Sequence, residues 1–96
     1  MIDIGGKDRQ IIKDILQKYV PDCEVRAYGS RCNGTAGKYS DLDIAIVGSG
    51  EIPLLTLAEL EDAFGESDLL FRVDLHDWNT MPQHFRDIVN KNYEMV

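Results

Sequence analysis

The chain has 96 residues, a length that predicts one domain spanning residues 1–96. Its formal net charge is −7, which argues against direct nucleic-acid binding, because that depends on clustered lysine and arginine. No apolar run approaches the roughly 20 residues of a bilayer span, and the opening MIDIGGKDRQ is too polar for a secretion signal. We therefore expect a cytoplasmic protein that has no contact with a membrane.

The two cysteines do not form a metal-binding pattern. Cys23 and Cys32 lie outside any Cys-x-x-Cys spacing, and neither His76 nor His84 completes a zinc set with them. We interpret both as reduced thiols in a reducing compartment.

The first half of the chain predicts one helix followed by two strands. The segment KDRQIIKDILQKYV, residues 7–20, places its apolar residues along one helical stripe, and Pro21 ends it. EVRAY, residues 24–28, is predicted to be a strand. LDIAIV, residues 42–47, is predicted to be a second strand that alternates between two faces.

The second half predicts a helix, a strand and a further helix. Thr56 and Glu59 resemble a capping box for a helix through about Phe64, and residues 69–75 read as a third strand. A second capping box is predicted from Thr80 and Gln83, and the segment NKNYEMV is either a frayed end or a short edge strand. The order predicts an α/β (α+β) fold, in which helices pack on one small mixed sheet.

A glycine-rich loop, GSRCNGTAGKYSDLD, joins the first two strands. Gly29 lets the backbone turn sharply after a strand, and the amides around Gly29 and Ser30 suit a phosphate group. The loop ends in Asp41 and Asp43, two residues apart and hence on one side of a strand, with Cα atoms about 6.5 Å apart. This pattern predicts a phosphate cradle beside a pair of carboxylates.

The presence of three aspartates on or beside predicted strands needs a physical explanation. Asp41, Asp43 and Asp74 repel one another if they share a face, and aspartate is a poor strand former. Their oxygens suit Mg²⁺, and two such ions can clamp an in-line phosphoryl displacement. We therefore predict that all three are catalytic: Asp41 and Asp43 bind metal ions, and Asp74 either binds a metal ion or acts as the general base. The alternative is that they only face solvent.

Gly29-Ser30, ten further residues and Asp41-Leu42-Asp43 resemble the G-S-x10-D-x-D signature of the DNA polymerase β-like nucleotidyltransferases. The small size and the later Val73-Asp74-Leu75 strand are similar to the minimal nucleotidyltransferase (MNT) family within them. The resemblance implies that family's fold, with ATP as substrate and Mg²⁺ as cofactor, two ions being expected. It also implies triphosphate binding by Gly29 and Ser30, and metal binding by the aspartates. Arg31 and Lys38 are the basic loop residues that remain to contact phosphates.

The resemblance further implies a protein partner. MNT proteins pair with helical HEPN-domain proteins that resemble toxic RNases, and act as antitoxins by adenylylating a tyrosine of the toxin. The expected activity is thus AMP transfer within a hetero-oligomer. Two alternatives stay open, namely neutralisation by binding alone, and nucleotidyl transfer to a small hydroxylated molecule such as an aminoglycoside.

Overall fold

The protein is described by a computed structural model that covers residues 4–29, 31 and 40–96. In these ranges, helix α1 spans Gly6–Tyr19 and α2 spans Leu54–Gly65, while α3 spans Gln83–Lys91. The strands are β1 Glu24–Tyr28, β2 Leu42–Val47, β3 Val73–Asp77 and β4 Tyr93–Met95, and a 3₁₀ turn covers Trp78–Thr80. None of the described helices is long and apolar enough to cross a bilayer.

The strands form one mixed sheet in the order β3-β2-β1-β4. β1 pairs antiparallel with both β2 and β4, whereas β2 pairs parallel with β3. The predicted α/β architecture is confirmed, and the segment near residue 94 is an edge strand.

One face of the sheet carries the hydrophobic core. Ile12 and Leu16 of α1 and Leu60 and Phe64 of α2 are buried against it, together with the inward residues of the strands: Val25, Ala27, Leu42, Ile44, Ile46 and Val73. This burial of aliphatic side chains is the main stabilising term of so small a domain. The opposite face is therefore the one left for polar chemistry.

Helix α3 lies on that opposite face. Arg26 of β1 points there, and its Nη1 donates a hydrogen bond of 2.9 Å to Oδ1 of Asn90 in α3. The Arg26 guanidinium also stacks on the ring of Trp78, 4.8 Å from the centroid. Val89 is the fully buried residue of α3.

Three predicted details are wrong. Neither capping box forms: α2 begins at Leu54 after Pro53, and α3 begins at Gln83 after Pro82, with no side-chain cap at either start. Proline is the N-cap residue of both helices, where the backbone N–H that it lacks would have no partner within the helix. The third strand begins at Val73 rather than at residue 69, since its partner β2 begins at Leu42.

Candidate active site

Two of the predicted carboxylates lie side by side. Asp43 of β2 and Asp74 of β3 are register partners in the parallel pair, so their side chains project from the same face of the sheet. That face is opposite the core, and the two side chains keep 30% and 31% of their surface exposed. The structure thus brings Asp43 and Asp74 together at an accessible position.

Asp41 is linked to Asp74 by Arg72, a residue that the sequence analysis did not assign to the site. Nη2 of Arg72 lies 2.9 Å from Oδ1 of Asp74 and 3.4 Å from Oδ2 of Asp41. The hydrogen bond to Asp74 raises the pKa of Arg72, so its guanidinium stays charged. Arg72 therefore supplies a positive charge between two of the three carboxylates.

Gly29 brings the start of the loop against the carboxylates. Its φ of +83° lies in the region that favours glycine, and a Cβ built there would collide with Oδ2 of Asp43. The backbone at Gly29 therefore lies directly against the carboxylate of Asp43. Ser30 and Lys38 lie outside the described residues, so their roles stay predictions.

The side chain of Arg31 is held by contacts within the protein. Its side chain is buried, its Nε donates a hydrogen bond of 2.8 Å to the carbonyl of Ser40, and its guanidinium lies 4.0 Å from the ring centroid of Phe71. These contacts link both ends of the loop to the segment before β3. Its contact with phosphate stays a prediction.

The site holds an excess of negative charge. Burial raises the pKa of Asp43, the charge of Asp74 raises it further, and His76 and Arg72 oppose that rise. Burial, followed by the charges of Asp43 and Asp74, raises the pKa of Tyr28 to about 12. Both shifts indicate carboxylates that a further cation would stabilise.

His76 and Tyr28 are neighbours of the carboxylates that sequence reasoning did not assign to the site. Nε2 of His76 lies 4.0 Å from Oδ1 of Asp43, and the His76 and Tyr28 rings are 6.0 Å apart between centroids. Its position two residues after Asp74 on the same strand was the sequence signal available for His76. Tyr28 is the register partner of Asp43 in β1, which only the strand pairing reveals.

The donor set fits a divalent cation in its chemistry. Across residues 4–29, 31 and 40–96, no three acidic, histidine or cysteine side chains are gathered closely enough to hold an ion as they stand. The three aspartates nevertheless offer the oxygen ligands that Mg²⁺ prefers. The raised pKa of Asp43 also marks negative charge that Arg72 only partly balances. A cation would replace Arg72 as the counter-charge of Asp41 and Asp74.

A cavity of about 500 Å³ adjoins the site on the side of α2. Its polar lining comes from Glu61, Arg72 and Asp74. A charged guanidinium at the wall of an open cavity suits an anionic group. Because the two carboxylates outnumber that guanidinium, this side of the site suits phosphate only together with a cation.

Comparison with known proteins supports the same chemistry. Residues 10–96 match the family model described as "Polymerase beta, Nucleotidyltransferase". The chain is 47% identical over 95 residues to the "Probable protein adenylyltransferase MntA" of Haemophilus influenzae, covering 99% of this chain and 83% of that protein.

Solved structures share the fold. A toxin-antitoxin structure with AMP-PNP superimposes with a TM-score of 0.78 at 24% identity, covering 92% of this chain and 71% of that one. A tri-AMPylated Shewanella oneidensis HEPN toxin in complex with an MNT antitoxin matches with a TM-score of 0.67 at 23% identity, covering 92% and 66%. The predicted polymerase β-like fold is confirmed, and the chain belongs to the polymerase beta nucleotidyltransferase family.

Proposed function

We propose that this chain transfers AMP from ATP to a tyrosine hydroxyl of a HEPN-domain toxin, and that it thereby acts as the antitoxin. The observation that carries the proposal is the pairing of Asp43 with Asp74 on one face, beside Gly29. The 96 residues act as a single catalytic domain, and ATP as donor places the reaction in the cytoplasm.

The similar proteins support both the activity and the partner. The Haemophilus influenzae relative is named a protein adenylyltransferase, and at 47% identity it is close enough to share chemistry. Among the structures of similar fold, one is a toxin-antitoxin with AMP-PNP and another holds a tri-AMPylated HEPN toxin with its MNT antitoxin.

Each residue of the site has a proposed role. The amides around Gly29 and Ser30 hold the triphosphate, and Arg31 and Lys38 are the basic residues of that loop. Asp41, Asp43 and Asp74 hold Mg²⁺, two ions being expected.

When bound, Mg²⁺ neutralises the phosphates and lowers the pKa of the attacking hydroxyl. Asp74 orients the acceptor, either as a ligand of the ion or as the base that accepts the hydroxyl proton. His76 and Arg72 limit the repulsion between the carboxylates before the substrates arrive.

The test is transfer of label from α-labelled ATP with Mg²⁺ to the purified HEPN-domain protein of the neighbouring reading frame. We expect label on the partner with the wild type and a loss of at least about 100-fold with Asp43→Asn, because a group acting on transition-state charge is removed. Asp68→Asn, at an exposed position, is the matched control.

Two outcomes would replace this proposal. Toxin neutralisation that survives Asp43→Asn undiminished would indicate an antitoxin that acts by binding alone. Label that appears only on an added aminoglycoside would indicate a small-molecule nucleotidyltransferase.

A further inference from the structure

An apolar groove opens on the other side of the carboxylates, between the sheet and α3. Its volume is about 640 Å³. Its lining includes Tyr28, Asp43 and Leu75 on the sheet, Leu57 of α2, and Phe85 and Ile88 of α3. Asp43 therefore belongs both to the carboxylate pair and to this groove.

The helical wall of the groove is apolar and exposed. Phe85 keeps 49% and Ile88 keeps 55% of their surface accessible, whereas Val89 on the same helix is fully buried. Helix α3 thus packs on the sheet through one side and presents a second apolar side beside the site. A cluster of exposed apolar residues next to reactive groups is typical of a binding surface.

The chemistry of the groove distinguishes between the two substrates of the reaction. The triphosphate is strongly anionic, and together with its Mg²⁺ it suits the glycine loop and the polar cavity that holds Arg72. The groove offers an apolar wall, the two aromatic rings of Tyr28 and Phe85, and the carboxylate of Asp43. Such a surface fits an aromatic side chain with apolar neighbours, and the carboxylate of Asp43 favours a nearby basic residue on the occupant.

We propose that this groove binds the tyrosine-bearing segment of the protein acceptor, with apolar neighbours of that tyrosine against Phe85 and Ile88. This inference rests on the proposed function. The tyrosine oxygen then lies at the paired carboxylates of Asp43 and Asp74 and attacks the α-phosphorus of ATP. A new oxygen–phosphorus bond forms, the bond from the α-phosphorus to the bridging oxygen breaks, pyrophosphate leaves, and the hydroxyl proton passes to a site carboxylate or to water.

The experiment compares Phe85→Glu and Ile88→Glu with Leu54→Glu and Leu55→Glu. The control leucines are 83% and 71% exposed on α2 and lie outside the groove. Calorimetry measures the Kd of each variant for the purified HEPN-domain protein without nucleotide or metal, and separately its Kd for AMP-PNP with Mg²⁺. Circular dichroism verifies that each variant is folded.

We expect each groove variant to bind the HEPN protein about 10-fold or more weakly, because a charge replaces an apolar contact. We expect its Kd for AMP-PNP and both Kd values of the control variants to stay within about twofold of wild type. Weaker AMP-PNP binding with unchanged partner binding would assign the groove to the nucleobase and overturn the inference. Loss of a wild-type self-association, or no change at all, would also overturn it.

The partner Kd is measured without ATP, so it does not depend on catalysis. A wild type that transfers no AMP but whose partner binding depends on Phe85 and Ile88 would refute the proposed function and leave the docking surface standing. If the wild type transfers AMP but substitutions of both residues leave partner binding unchanged, only the docking surface would be refuted.

Discussion

Gly29 is the residue whose backbone brings the loop to the carboxylates. Its φ is +83°, and Oδ2 of Asp43 occupies the position that a side chain would need. We expect Gly29→Ala to lower the free energy of unfolding by about 1–3 kcal/mol, because strain and steric conflict add. Urea denaturation measures the loss.

Gly65→Ala is the matched control for this substitution. A Cβ at Gly65 meets no atom within 4 Å, so alanine is tolerated there. If Gly29→Ala proved as stable as Gly65→Ala, the close approach of loop and carboxylate would be wrong.

Asp43 lowers the stability of the metal-free protein, and its proposed role as a metal ligand explains why it is there. Its carboxylate is partly buried next to Asp74, and both effects raise its pKa. We expect Asp43→Asn to raise the stability of the metal-free protein at pH 7 by about 0.5 kcal/mol, the scale of a like-charge pair across neighbouring strands. Thermal unfolding in EDTA measures the gain, and Asp68→Asn should show none.

The pH dependence of that gain follows from the direction of the pKa shift. An acid whose folded-state pKa is raised contributes stability that is present below its ordinary pKa and is lost as the pH rises through the folded value. The advantage of Asp43→Asn over wild type should therefore vanish in acid, below the ordinary aspartate range. It should grow as the pH rises towards neutrality. An advantage that stays constant from pH 3 to pH 7 would contradict this assignment, a range that spans the usual aspartate pKa of about 4.

At the scale of the elements, the end of β3 is fixed by a buried aspartate. Asp77 accepts hydrogen bonds from the backbone amides of Ile52, at 2.8 Å, and Asn79, at 3.0 Å. It thereby ties the turn before α2 and the 3₁₀ turn after β3 to the strand that carries Asp74.

We expect Asp77→Ala to cost about 1–3 kcal/mol, because it leaves a buried amide unsatisfied. Urea denaturation measures the cost, and hydrogen exchange should quicken most at Ile52. Asp68→Ala should change neither. Unaltered exchange at Ile52 in Asp77→Ala would show that the hydrogen bond does not hold this turn.

The strands were predictable where local pattern decides them. Residues 24–28 and 42–47 match β1 and β2 because alternation and flanking turn residues coincide there. The start of β3 was not predictable, because Leu69, Leu70 and Phe71 are as apolar as the residues of a buried strand. Only pairing with Leu42 of β2 places its start at Val73.

The same limit applies to the site. The signature of Gly29, Asp41 and Asp43 is local, and Asp74 stands out as a charge in an apolar strand. Arg72 and Tyr28 reach the carboxylates only through the pairing of β1, β2 and β3, which spacing along the chain does not reveal. Side chains that are brought to the site by strand pairing were therefore not predicted from the sequence.

At the scale of the whole molecule, the sheet separates stability from chemistry. One face carries the aliphatic core under α1 and α2, and the other carries the pair of carboxylates, Asp43 and Asp74. Substitutions of Asp43 or Asp74 should consequently leave the fold intact, so losses of function in these variants can be read as losses at the site.

The central claim is that Asp43 and Asp74 bind the same divalent cations together with a nucleotide. Electron paramagnetic resonance of Mn²⁺, used in place of Mg²⁺ in the presence of AMP-PNP, measures this directly. We predict that Asp43→Asn and Asp74→Asn each weaken Mn²⁺ binding roughly tenfold or more, with Asp68→Asn equal to wild type. Wild-type Mn²⁺ affinity in either site variant would contradict the account.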